Sequence, residues 1–129
     1  MDGDSMTTKP IELCATETLP PGFRYPEKFV AMIAANDLPD LYPWTFVDAQ
    51  SEAGRLLYSL RKADGRNLIP FATLESGDGD TACFDGDNTT GHPAVLMLVL
   101  DGSGRSYAFA DFEDWIRAAE VDAKRWRGR

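Results

Sequence analysis

The chain has 129 residues, 43% of them hydrophobic, and a formal net charge of −8. That length supports one compact core and is short for two, and no apolar run nears the roughly 20 residues of a membrane helix. The acidic start, Met1-Asp2-Gly3-Asp4-Ser5, lacks the positive and apolar regions of a secretory signal, so one cytoplasmic domain spanning 1–129 is expected.

Met1 to Lys9 is polar and reads as a frayed tail. The first helix is expected over Glu27 to Ala35. Pro26 suits its first turn, Glu27 favours the positive end of its dipole, and Phe29, Val30, Ile33 and Ala34 recur at helical spacing. Asn36 and Pro39 stop it. Tyr42-Pro43-Trp44-Thr45-Phe46 is dense in aromatics; such residues usually close a core, and Trp44 could alternatively anchor a partner. A second helix is expected from Ser51 to Ala63, with Ala53, Leu56, Leu57 and Leu60 on its apolar side and Asp64-Gly65 as its stop, although Leu57 to Leu60 could also alternate as a strand.

The stretch from Leu68 to Asp85 joins two strand-like segments through an acidic turn. Leu68-Ile69-Pro70-Phe71-Ala72 leads to Gly77-Asp78-Gly79-Asp80 and then to Cys83-Phe84-Asp85, a hairpin pattern. Pro70 has no amide to donate, which places it at a strand start or on an edge. Ala94 to Leu100 is nearly all aliphatic, so a strand covered on both faces, in the middle of the sheet, is expected. Asp101 to Gly104 is a turn, and Ser106 to Ala110 returns as a strand. Asp111 then reads as an N-cap, and Phe112, Trp115, Ile116, Ala119 and Ala123 form a stripe to pack on the sheet. The basic residues of Lys124 to Arg129 complement the helix C-terminus before the chain frays. The expected class is α+β, a single mostly antiparallel sheet with helices packed against it.

The order of these pieces resembles the SUKH superfamily, the Smi/Knr-like proteins. The resemblance is carried by the apolar-Pro-Phe-Ala strand, the Gly/Asp turn, the Cys-Phe-Asp strand, the apolar strand from Ala94 and the helix opening Phe112-Glu113-Asp114-Trp115-Ile116. It extends weakly upstream to Leu19-Pro20 and covers roughly Leu19 to Ala119. Members often follow the first helix with an Asn-Gly turn, where this chain has Asn36-Asp37. The resemblance implies a bacterial immunity protein that binds and neutralises a toxin, often a nuclease. The alternative it implies is an intracellular regulator or scaffold, as in fungal members.

Charge points to the kind of partner. Between Arg66 and Arg105 there is no Lys or Arg, yet Glu75, Asp78, Asp80, Asp85, Asp87 and Asp101 fall there. If several share one end of the sheet, they repel nucleic acid and steer a basic protein; otherwise they serve solubility and their own turns. The partner surface expected from charge is Glu75, Asp78, Asp80, Asp85 and Asp87, with Trp44 as an aromatic anchor.

Other chemistries find less support. Asp78/Asp80 and Asp85/Asp87 have a spacing that suits calcium, but an EF-hand loop starting at Asp85 would place Thr90 where Gly is required and Leu96 where Glu is required. From Asp78, the fifth position is Ala82. His92 is the only histidine and lies in a Gly91-His92-Pro93 loop without an identifiable nucleophile. Cys14 and Cys83 form no Cys-x-x-Cys pair and read as reduced thiols, with Cys83 a small core residue. Neither catalysis, a cofactor nor a metal is expected.

Overall fold

The computed structural model describes residues 12–14, 16–60, 65–75, 80–99 and 107–128. A 3-10 turn, Thr16–Thr18, precedes α1 (Glu27–Ala34), β1 (Trp44–Phe46), α2 (Glu52–Ser59), β2 (Leu68–Leu74), β3 (Thr81–Asp85), β4 (Val95–Leu98), β5 (Ala108–Phe109) and α3 (Phe112–Arg127). The strands form one antiparallel sheet in the order β1-β2-β3-β4-β5. This is an α+β arrangement with sequential strand neighbours. The expected tail at 1–9, the connection Ser76–Gly79 and the turn Asp101–Gly104 lie outside the described residues.

Side-chain alternation divides the sheet between two clusters. Ile69, Ala82, Phe84, Val95 and Met97 face a large aromatic core with Phe29 of α1 and Phe112, Trp115 and Ala119 of α3. Leu68, Cys83 and Leu98 form a smaller cluster on the opposite face. Phe71 stacks on Phe84 with ring centroids 4.1 Å apart, and Phe29 meets Phe71, Phe84 and Phe112 at 5.7, 5.3 and 5.2 Å. Cys83 is fully buried, a small core residue as its strand context suggests.

The helix ends follow local chemistry. Asn36 takes φ 52°, and the amides of Asn36 and Asp37 reach the carbonyls of Ile33 and Met32 at 3.0 and 2.9 Å, a Schellman closure. Ser51 caps α2 by accepting from Gly54 N at 3.0 Å. Asp111 caps α3 by accepting from Asp114 N at 2.9 Å. Asp111→Ala is expected to lower stability by about 1 kcal/mol, read as a fall in the urea midpoint at unchanged slope; Asp111→Ser should restore most of it.

Four expectations need correction. On α2 the chain buries Gly54, leaving Leu56 63% exposed and Ala53 and Leu60 outward. On α1 Phe29 is buried and Ile33 packs half-buried against the same core, but Val30 and Ala34 are exposed. Pro70, by contrast, meets its expectation: it sits inside β2 opposite Cys83, where the register shifts before Ala72, but β1 pairs only with Ala72 to Leu74, so the other side of β2 is an unpaired edge at Pro70. Such an irregularity tolerates a missing donor. β3 holds the middle of the sheet, and β4 is second from the edge, flanked by the two-residue β5. The basic end is helical through Arg127.

Candidate functional site

In an antiparallel hairpin, the residues flanking the turn and the residue that closes the second strand lie at opposite ends of the sheet. Glu75, just after β2, and Asp80, just before β3, lie at one end, and Asp85 lies at the other, opposite Leu68. Five residues of strand place Asp80 and Asp85 roughly 17 Å apart. That is about twice the ~8 Å Debye length at physiological ionic strength, so the sequence-expected carboxylates do not form one cluster. Asp78 lies outside the described residues.

Two of the expected contact residues face inward. Asp80 is 3% exposed, and its carboxylate accepts a hydrogen bond from the Tyr107 hydroxyl. Trp44 is 5% exposed, meets Trp115 edge-on at 5.5 Å, and donates from Nε1 to Asp122 Oδ2 at 3.0 Å. Both hold the sheet to its neighbours and offer a partner little surface.

At the Asp85 end, topology assembles charges that lie far apart in sequence. Asp85 Oδ1 accepts from Asp87 N at 3.0 Å, and Asn67 Nδ2 donates to Asp87 Oδ1 at 3.3 Å. Gly86 N donates to Asn67 O at 2.7 Å, and a Cβ there would come within 2.5 Å of that oxygen, so this approach requires glycine. Arg24 donates to Thr90 O at 3.1 Å and ties the loop to the segment entering α1. A groove of about 250 Å³ runs between the first turns of α1 and α3, lined by Pro26, Glu27, Lys28, His92, Asp111, Phe112 and Glu113.

Glu27, Asp111, Glu113 and Asp114 therefore join Asp85 and Asp87 at this end, against Arg24, Lys28 and Arg117. Sequence reasoning missed this grouping, although the available signal was the acidic first turn of each helix. Asp114 already pairs with Arg117 at 3.1 Å, an exposed contact of little energetic weight. Glu27, Asp87 and Glu113 are exposed. Their carboxylates can attract and hydrogen-bond ammonium or guanidinium groups. Among the described residues, no three His, Cys, Asp or Glu side chains are grouped to hold a metal ion, and no helix is long and apolar enough to cross a membrane.

The Glu75 end is mixed in charge. α3 runs from the Asp85 end toward it, so that Trp126 packs on Tyr42 at 5.6 Å, and Lys124, Arg125 and Arg127 occupy the last turn. Pro43, which follows a cis peptide bond, accepts from Glu75 N at 2.7 Å. Thr45 and Thr73 are cross-strand partners, and their hydroxyls donate to Glu75 Oε2 at 2.8 and 3.1 Å. Basic groups thus sit near one of the carboxylates read as part of an acidic face.

Near the chain start, Cys14 N donates to the Tyr25 hydroxyl at 3.3 Å, beside a cavity of about 240 Å³ lined by Cys14, Thr18, Gln50, Arg55 and Tyr58. Burial, and secondarily the adjacent Cys14, hold the Tyr25 hydroxyl above its ordinary pKa, so it stays a neutral structural group. No protein-family model matches this chain, and neither a curated protein nor a solved structure is significantly similar to it.

Proposed function

We propose that this chain is a protein-binding module of the immunity type, which neutralises a cationic toxin domain, such as a nuclease, by covering its surface. The observation that carries this reading is the grouping of exposed carboxylates at the Asp85 end, where Glu27, Asp111 and Glu113 line an open groove and Asp87 is exposed at the same end of the sheet. A nuclease is basic where it grips phosphates. An acidic surface accelerates encounter with such a domain and suppresses wrong partners. Inhibition of this kind needs no chemistry from the bound module. The SUKH-like order of the sequence elements supports the same reading.

Its test is capture of partners from the native host at low and then high salt, followed by association kinetics with the captured domain. Neutralising Glu27, Asp85, Asp87 and Glu113 together to Gln and Asn is expected to slow association at least about tenfold at low ionic strength. The difference should shrink as salt rises. Asp85→Asn keeps an oxygen to accept from Asp87 N, so the loop is preserved. Capture of several unrelated cellular proteins, unaffected by these substitutions, would replace this reading with a regulatory or scaffold role.

A further inference from the structure

One cavity shares no residue with the acidic groove. Its volume is about 240 Å³, and it is lined by Cys14, Thr18, Ala49, Gln50, Arg55 and Tyr58, drawn from the chain start, the Asp48 turn and α2. The walls are tied to one another before any ligand arrives. Gln50 Nε2 donates to Leu13 O at 3.0 Å, Ala49 N donates to Glu12 O at 2.9 Å, and the Tyr58 hydroxyl donates to Thr18 O. A space held open in this way spares a ligand the cost of ordering its site.

Its charge sets the class of ligand. In a chain with a net charge of −8, this lining holds no carboxylate, and Arg55 is its one formal charge. Glu52 stands three positions before Arg55 on α2, a spacing that suits an ion pair. Even so, among the described residues the Arg55 guanidinium has neither an ion pair nor a hydrogen bond. Asp48, next to the lining in sequence, has its Oδ1 occupied by the amides of Glu12 and Gln50, each at 3.1 Å. A guanidinium without a partner matches the two oxygens of a carboxylate. Ala49, the ring of Tyr58 and the sulfur of Cys14 supply apolar or weakly polar wall. The volume falls below the roughly 300–1,000 Å³ of pockets for drug-sized ligands, so a smaller molecule fits. We infer that this cavity binds a small organic monocarboxylate, its carboxylate paired with Arg55 and its apolar body against Ala49, Tyr58 and Cys14. The site is independent of the proposed toxin-binding role.

Cys14 supplies the reporter, because Cys83, the other cysteine, is fully buried. The full chain is alkylated with iodoacetamide, a neutral reagent, in the presence of sodium benzoate or of benzamide, its uncharged counterpart, at constant ionic strength. One partly exposed ion pair and one ring are expected to give benzoate a Kd of about 1 mM. Benzoate at about 10 mM should then slow Cys14 alkylation about tenfold and shift the Cys14, Gln50 and Arg55 amides in NMR spectra, whereas benzamide should do neither. Arg55→Gln should abolish the protection, and Arg55→Lys, which keeps the charge without the fork, should retain part of it. Leu56→Ala, on the same helix and 63% exposed, should retain it fully and serve as the folded control. Equal protection by benzamide, protection that survives Arg55→Gln, or the absence of both protection and shifts would each overturn the inference.

Discussion

Phe29→Ala is expected to lower the unfolding free energy by about 3–5 kcal/mol, the range for truncating a buried aromatic. Phe29 is the one fully buried side chain of α1, and its ring lies within 6.1 Å of Tyr25, Phe46, Phe71, Phe84 and Phe112. Those neighbours come from β1, β2, β3, α3 and the segment entering α1, so no single element can move inward to fill the space. The remaining cavity adds its own cost to the lost transfer energy. A urea titration by tryptophan fluorescence would show the midpoint falling with little change in slope. Leu56→Ala, at 63% exposure, should shift it by no more than about 0.5 kcal/mol. A loss below about 1 kcal/mol for Phe29→Ala would mean that α1 does not depend on this ring.

Gly54→Ala should destabilise the protein by about 2–3 kcal/mol through overpacking, even though alanine is about 1 kcal/mol the better helix former. A Cβ at Gly54 would lie 2.1 Å from Asp48 O and 3.0 Å from Ala49 Cα. Retreat is restricted, because Asp48 O also accepts from Ser51 N at 3.0 Å and from Ser51 Oγ at 2.6 Å. Moving that carbonyl would loosen the cap that starts α2. A thermal melt is the direct check, with a fall of roughly 10 °C expected. An unchanged or raised melting temperature would show that α2 can lift away from the Asp48 turn at little cost.

Elements with local signals are legible from the residues alone. Asp111 capping α3, the stripe of Phe112, Trp115, Ala119 and Ala123, the Asn36 stop of α1 and the paired strands flanking the acidic turn each depend on a few neighbouring residues. The inward face of α2 is not legible in this way. Apolar content pointed to Ala53, Leu56, Leu57 and Leu60, of which only Leu57 is half-buried, and the helix instead turns its smallest residue, Gly54, toward the backbone at Asp48, since close approach there depends on the absence of a side chain. Trp44 and Asp80 likewise carry no local mark of burial; a cross-chain acceptor at Asp122 and a donor at Tyr107 decide it. The carboxylates show the same division. Composition supplied their number and sign, while the antiparallel path of β2 and β3 sent Glu75 and Asp85 to opposite ends and brought Glu27 and Glu113, 86 positions apart, to one groove. Periodicity and capping act over a few residues, whereas the location of a charge in space is set by strand direction and helix packing, which exist only once the whole chain has folded.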